Sequence, residues 1–321
     1  MNISTKFAML FATILVGGYF AWIHLGQGNE RSEKSNTAPS GGGNHSFSPL
    51  PKVAGSGVAP TSNQRQFAHV DGSPMPTWAK WSTSDNLKML YDERRNTVSG
   101  DPAAAFYLYN ILRECIFITS GGHEKSRERT LRGKFSPDIE AARLAAFEGI
   151  WRKCAGFENM PMNKANEEQD ELAAIGERNG SIQFAARKIA LSNREKDPNF
   201  DAKVFALLET GDTTVLFELS RFAATSAELS RLGGDKIAAS QNALLQAWQM
   251  AVCDAGYDCQ NLLLPNFCME NGVCTAIDYA DGVRLTALSP VEYEIANQLR
   301  FKIGNAIRSK EWATLGFRRP K

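Results

Sequence analysis

Histidine and recognisable catalytic motifs are scarce in this 321-residue chain, and its net charge is close to zero. Only four histidines are present. Of these, only His123 lies where the composition predicts a fold, which excludes a multi-histidine metal site and a helical HExxH motif. A net charge of +1 without a basic block excludes a nucleic-acid-binding arm. The chain also has no C-x-x-C redox motif and no G-x-S-x-G nucleophile motif, and no cofactor or metal is predicted.

His123 lies in a polar and basic stretch between two predicted helices, ITSGGHEKSRERTLRGK. No nucleophile motif accompanies it, so we interpret it as a solvated loop residue rather than a catalytic base. Glu124 and Glu128 are interleaved with the basic residues, which favours a salt-bridged helix face over a phosphate or nucleic-acid site. The basic residues are Lys125, Arg127, Arg129, Arg132 and Lys134.

The N-terminal residues predict a membrane segment followed by a linker. Residues 7–25 are almost wholly apolar, and 19 helical residues span about 28 Å, close to the hydrocarbon thickness of a bilayer. Because cleavage at Val16-Gly17-Gly18 leaves a short apolar core, we predict an uncleaved anchor over residues 1–26, with a cleaved signal as the alternative. Residues 27–77 are rich in Gly, Ser, Pro and Asn, which predicts a disordered linker before a helical domain over residues 78–321.

Helix signals are dense after the linker, and long alternating runs are missing. Three helix starts place a capping residue before a proline at the first helical position: Asp101-Pro102, Ser136-Pro137 and Ser289-Pro290. The last of them adds Glu292, which completes a capping box. A stripe with a spacing of four follows it, formed by Ile295, Leu299, Ile303 and Ile307. These signals predict an all-α fold class.

A weak internal repeat runs through the helical part. The segments GDPAAAFYLYNIL, RNGSIQFAARKIA and GDTTVLFELSRFA each place a phenylalanine six residues after their first letter. With Phe147 and Trp248, the aromatic positions Phe106, Phe184 and Phe217 recur every 31 to 41 residues. This period is typical of helix pairs that bury their apolar faces by stacking on the next pair, and it predicts a solenoid-like domain.

GDTTVLFELS resembles the first helix of tetratricopeptide-like repeats, of the exported, cysteine-containing type. The resemblance covers residues 99–250, and the tryptophan, glycine and closing proline of the fuller repeat signature are missing. It implies a scaffold that binds another protein. The alternative is an irregular helical domain unrelated to these repeats.

The six cysteines predict disulfides rather than a metal site. Two C-x5-C pairs between residues 253 and 274 are wider than the spacing of structural zinc ligands, and no histidine is near them. Cys115 and Cys154 end the helices that start at Asp101 and Pro137. If the segment between these helices is also helical, they run parallel with their C-terminal ends side by side, which predicts Cys115–Cys154.

The other four cysteines allow more than one pairing. We favour a nested arrangement, Cys253–Cys274 around Cys259–Cys268. The sequential pairing, Cys253–Cys259 with Cys268–Cys274, stays open because spacing does not determine connectivity.

An even set of disulfides is typical of an oxidising compartment, which predicts an inner-membrane protein whose C-terminal domain lies in the periplasm. A periplasmic or secreted protein, released by signal cleavage, is the alternative. The function predicted is a non-catalytic binding module for another envelope protein, without nucleic acid as a partner. The rival is a peptidoglycan-cleaving hydrolase, for which Glu114 and Glu148 are the candidate pair of carboxylates.

Overall fold

The computed structural model of the protein describes residues 81–192, 197–225 and 239–317. All of these lie in one compact unit, Gln66–Lys321. The predicted anchor over residues 1–26 and the predicted linker over residues 27–77 lie outside the described residues. Within the described ranges, no helix is both long enough and apolar enough to cross a bilayer.

The described ranges contain helices and no strand, so the predicted all-α class is confirmed. The first six helices are α1 Leu87–Arg95, α2 Pro102–Thr119, α3 His123–Thr130, α4 Pro137–Lys153, α5 Met162–Arg178 and α6 Ile182–Leu191. Those that follow are α7 Phe200–Thr210, α8 Thr213–Glu218, α9 Ser220–Ala224, α10 Gln241–Asp254, α11 Cys259–Leu262, α12 Leu264–Asn271, α13 Tyr279–Thr286 and α14 Pro290–Ser309. Short 3₁₀ helices lie at Val98–Gly100 and Trp312–Leu315.

All three predicted helix starts are present. The carboxylate of Asp101 accepts from two backbone N–H groups of the first turn of α2. Ser289 and Glu292 form the reciprocal capping box of α14. Ser136 precedes α4 at the predicted position, but its side chain makes no capping hydrogen bond. Short polar side chains at these positions satisfy backbone donors that have no partner inside the helix, which is why the starts are visible in the sequence.

The buried apolar residues form two clusters, each around a central helix. In the first cluster α2 is enclosed, and Phe106, Leu108 and Ile111 are at most 1% exposed. In the second, α10 packs between α9 and α14, and Trp248 donates from Nε1 to the carbonyl of Leu216 at 2.7 Å. Helices that are apolar on most sides are found at the centre of a fold, as both of these are.

Polar contacts tie the two clusters together. Arg187 on α6 makes a two-pronged ion pair with Glu218 on α8, at 2.9 and 3.0 Å. The same guanidinium donates to Asn110 on α2 at 2.9 Å, and it lies over the ring of Phe106. A planar guanidinium suits such a position because it can donate in several directions while its face packs on an aromatic ring.

The chain also folds back on itself near its C-terminal third. α12 packs against α4, which comes more than 100 residues earlier. The buried Arg143 of α4 donates from Nε to the carbonyl of Met269 on α12 at 2.7 Å. It also lies over the ring of Phe135, 4.1 Å from the ring centroid. A guanidinium paired with a carbonyl thus holds α12 in place.

The structure contains three disulfides. Cys115 pairs with Cys154, with Cα atoms 5.0 Å apart, and α3 is helical between their helices, as the sequence predicts. The favoured nested pairing of the other four cysteines is wrong. The structure instead joins Cys253 to Cys259 and Cys268 to Cys274.

The short pairings have a local cause. α10 ends just after Cys253, and α11 begins at Cys259, so one tight turn brings the two together. α12 ends at Gly272, which adopts a left-handed conformation with φ of 71° and turns Cys274 back towards Cys268. Glycine is favoured at such a helix end because it has no Cβ to strain the left-handed backbone.

Candidate functional site: a cleft beside two disulfides

A cleft of about 370 Å³ lies between the helix pair α2 and α4 and the stretch of residues 260–276. This volume lies within the range of small-ligand sites. We call this space the cleft. Its lining is mostly apolar on both sides, with Leu87, Ile150, Leu262, Pro265 and Val273 among the residues that form it.

One face of α4 forms a wall of the cleft. Ala146, Gly149, Ile150 and Lys153 line the space, and their spacing of three, four and seven residues places them on one side of the helix. Gly149 has no atom within 4 Å of the position a Cβ would occupy. A wall with small residues beside a longer apolar one leaves room for a ligand between α4 and the opposite wall.

Glu114 is the only carboxylate among the described residues that line the cleft. It belongs to α2, is partly buried, and makes no hydrogen bond or ion pair within the described ranges. Burial raises the pKa of this carboxyl above its usual range, and the positive charges of Arg113 and Lys153 oppose that shift. Holding a carboxyl away from water without a partner costs stability, which is common where a group is kept for binding or chemistry.

Lys153 supplies the opposite charge. It is the last residue of α4 and lines the same cleft. It also makes no hydrogen bond or ion pair with any described residue, so its ammonium and the carboxylate of Glu114 are not in contact. The cleft therefore holds one acidic and one basic side chain that are not paired with each other.

A buried disulfide lies directly beside both residues in the chain. Glu114 directly precedes Cys115, and Lys153 directly precedes Cys154. Both cysteines are 0% exposed, and their Cα atoms lie 5.0 Å apart. The opposite wall includes the disulfide Cys268–Cys274. The backbone on both sides is thus covalently constrained close to the lining residues, which favours a cleft whose shape exists before a ligand enters.

The second predicted carboxylate points elsewhere. Glu148 does not line the cleft, and its two oxygens lie 2.9 and 3.0 Å from Nε2 of His123. Glu148 is on the α4 face that meets α3, together with Phe147 and Trp151, whose rings both contact the imidazole edge-on. The structure therefore does not bring Glu114 and Glu148 together in the cleft.

The interpretation of His123 as a solvated loop residue is wrong. It is the first residue of α3, and its side chain is 36% exposed. Its contacts with Glu148, Phe147 and Trp151 fix α3 against α4. The loop prediction failed because two glycines and polar residues precede His123, while the partners that bury it are 24 to 28 residues further along the chain.

The predicted salt-bridged face of α3 is present only in part. Among the described basic residues of this stretch, Arg127 alone pairs with an interleaved glutamate. Arg127 lies 3.7 Å from Glu124 on the helix surface. Arg129 does not pair with a carboxylate, since it donates to the carbonyls of Phe117 and Ser120 at the end of α2. Burial and neighbouring positive charge lower the pKa of Arg129. This arginine ties α3 to α2 rather than forming a surface for an anionic partner.

Sequence reasoning missed most residues of the cleft. It singled out Glu114, Cys268 and Cys274, but not Lys153, Trp81 or Pro265. A signal for Lys153 was present, because a charged residue stands directly before each cysteine of the predicted Cys115–Cys154 pair. The apolar residues of the opposite wall carried no such signal, since leucine and proline occur throughout the chain.

Comparisons with protein-family models, with curated proteins and with solved structures gave no match. The resemblance to tetratricopeptide-like repeats therefore stays a prediction. Among the described residues, no group of three or more His, Cys, Asp or Glu side chains is placed to hold a metal ion. The geometry of the cleft is the feature on which a functional proposal can stand.

Proposed function

We propose that this protein is a non-catalytic binding module of the cell envelope, which takes a segment of another envelope protein into the cleft. The observation that carries the proposal is a half-open, largely apolar space of about 370 Å³ between two covalently constrained walls. Such a space accepts a few side chains without rearrangement. A peptide segment can place side chains there while its backbone remains at the opening.

The disulfides support the location. All six cysteines are paired, and disulfides persist outside the cytoplasm. We place the helical domain in the periplasm, tethered through residues 7–25, with residues 27–77 as the spacer. A periplasmic or secreted form released by signal cleavage would carry the same cleft. The repeat-like helices fit a scaffold role, which the proposed solenoid relationship would share.

The hydrolase alternative is less well supported by the geometry. Glycoside hydrolysis uses two carboxyl groups on either side of the bond, roughly 5–9.5 Å apart. Among the described residues Glu114 alone brings a carboxylate to the cleft, whereas Glu148 is engaged by His123. A binding role needs no second acid, so it accounts for the lining residues with fewer assumptions.

Site-specific photo-crosslinking in intact cells tests the proposal. A photoreactive amino acid at Gln260, an exposed residue of the cleft rim, should give a discrete crosslinked protein that mass spectrometry identifies. Excess purified full-length protein should compete for it. The matched control is the same amino acid at Phe301, which is 60% exposed and does not line the cleft.

Two results would contradict the proposal. One is an absence of crosslinks at Gln260 beyond those at Phe301. The other is a purified full-length protein that cleaves peptidoglycan and loses that activity when Glu114 is changed to Gln.

A further inference from the structure

The charges of the cleft indicate what kind of segment it binds. Glu114 and Lys153 are the acidic and the basic side chain of the cleft lining, and neither makes an ion pair with the other or with any other described residue. Opposite charges that share a partly buried space normally pair, since desolvated charges gain from direct contact. Here the two groups remain unpaired, which leaves both of them for a ligand.

A ligand with one positive and one negative group can pair with Glu114 and Lys153 at the same time. A cation alone would gain from Glu114 but would be repelled by Lys153, and an anion alone would meet the reverse. Each charge of a dipolar ligand would make a charge-assisted hydrogen bond with Glu114 or with Lys153. We propose that the segment bound in the cleft carries one basic and one acidic side chain, the basic one pairing with Glu114 and the acidic one with Lys153. This inference rests on the proposed function.

The apolar lining suits the same side chains. Lysine, arginine and glutamate have methylene stems that can pack on an apolar surface while their charged ends reach polar partners. Ile150, Leu262 and Pro265 provide such a surface beside the two charges. The walls are already constrained by disulfides, so less ordering is needed on binding. The cleft therefore discriminates by the order and spacing of two charges.

Short peptides titrated into the full-length protein test the inference. The probes are acetylated and amidated peptides in which one lysine and one glutamate are separated by zero to three alanines, with a fluorescent label. One spacing should bind in a saturable way by fluorescence anisotropy. Peptides in which norleucine replaces lysine, or glutamine replaces glutamate, should bind about tenfold or more weakly, because each loses a hydrogen bond between charged groups.

Variants of the protein assign each charge. Glu114→Gln and Lys153→Gln should each weaken binding of the best peptide about tenfold or more. The double variant Glu114→Lys with Lys153→Glu should instead prefer the peptide with its two charges in reversed order. The matched controls are Glu167→Gln and Lys134→Gln, which change exposed residues outside the cleft lining and should leave affinity unchanged. Circular dichroism of each variant shows that it is folded.

Several outcomes would overturn the inference. Lys153→Gln could strengthen binding of a peptide that carries lysine alone, which would indicate a purely cationic ligand. Free lysine or arginine could bind with the same dependence on Glu114 and Lys153 while no capped peptide binds, which would indicate a small zwitterion. Failure of every peptide to bind the folded wild-type protein would also contradict the inference.

The test separates this inference from the proposed function. If the crosslink at Gln260 persists unchanged in the Glu114→Gln and Lys153→Gln variants, a protein partner remains and the assigned chemistry is wrong. If dipolar peptides bind as expected but no protein crosslinks at Gln260, the charge recognition stands and the proposed function fails.

Discussion

The two walls of the cleft are built in different ways. The wall formed by α2 and α4 consists of helices of 18 and 17 residues that contribute to the first core cluster. Its disulfide joins cysteines 39 residues apart. The opposite wall contains helices of four and eight residues, and its disulfide spans only six residues. The first wall contributes many residues to the core, whereas the second reaches it mainly through Met269 and is closed locally by its own disulfide.

The disulfides of the two walls are therefore expected to stabilise the fold by different amounts. In the chain-entropy description, closing a loop of about 40 residues stabilises a fold by about 4 kcal/mol, and closing one of about seven stabilises it by about 2 kcal/mol. Cys115 and Cys154 are fully buried, while Cys268 and Cys274 are partly exposed at the cleft. We therefore expect loss of the long-range disulfide to affect mainly global stability, and loss of the short-range one to affect mainly the cleft.

The largest effect is expected from removing the long-range disulfide. Changing Cys115 and Cys154 to Ala should lower the free energy of unfolding by about 4 kcal/mol, because the unfolded chain regains the freedom of the loop. Urea unfolding of the full-length protein, without reductant, measures this. A loss below about 1 kcal/mol would mean that the core alone positions α2 against α4.

Removal of the cleft disulfide should have a smaller global effect and a larger local one. Changing Cys268 and Cys274 to Ala should cost about 2 kcal/mol, speed amide exchange in α12 and reduce the crosslink at Gln260. The matched control is the Cys253–Cys259 pair, which has the same six-residue separation but does not line the cleft. Its removal should cost about as much and leave the crosslink intact. Equal loss of the crosslink in both variants would contradict the division of roles.

Glu114 should make the protein less stable at high pH. Burial raises the pKa of this carboxyl in the folded state above its unfolded value. The folded state therefore holds the proton more tightly, and stability falls as pH rises through the raised pKa. Glu114→Gln should leave stability nearly unchanged at pH below the ordinary glutamate pKa, and increase it as pH rises. Unfolding free energies from acidic to neutral pH measure the difference.

Glu292 provides a control, because its pKa is shifted in the opposite direction from that of Glu114. Hydrogen bonds from the side chains of Ser289 and Ser240 lower the pKa of its carboxyl. Glu292→Ala should therefore cost stability at neutral pH, and this cost should shrink as pH falls through the lowered pKa. If Glu114→Gln followed the same pH trend as Glu292→Ala, the carboxyl of Glu114 would not be desolvated in the fold.

The smallest loss of stability is expected from a change on the face of α4 that meets α3. Glu148→Gln removes the charge that His123 contacts, at a side chain that is 39% exposed. The expected cost is about 0–1 kcal/mol, as for other exposed ion pairs, with no change in peptide binding because Glu148 does not line the cleft. Anisotropy titration checks this. A tenfold loss of affinity would place Glu148 in the binding site after all.

Local signals in the sequence predicted much of the secondary structure. Asp101 and Ser289 mark helix starts because a capping side chain acts on donors only two or three residues away. Of the predicted stripe, Leu299, Ile303 and Ile307 are buried and Ile295 is partly buried, since the period of a helix is a local property. The Cys115–Cys154 pairing was accessible because it depends on two helices with a third helix between them, although α2 continues to Thr119 and does not end at Cys115 as predicted.

The sequence carried no comparable signal for contacts between residues that are far apart in the chain. The nested pairing of Cys253 with Cys274 failed because the left-handed turn at Gly272 and the tight turn after α10 decide which sulfurs meet. The partnership of His123 with Glu148 was missed for a related reason, since it depends on how α3 packs on α4. Side-chain burial of this kind is set by neighbours that are remote in sequence.

Residue type and short spacing were enough to predict the helical class, the main helix starts and the presence of disulfides, because each of these depends on residues close together in the chain. The return of α12 to α4, and the shared cleft in which Glu114 and Lys153 lie without touching, could be seen only in the folded protein. A cleft is the space left between elements that pack on other parts of the fold. Its position depends on contacts such as that of Arg143 with Met269, which join residues 126 positions apart.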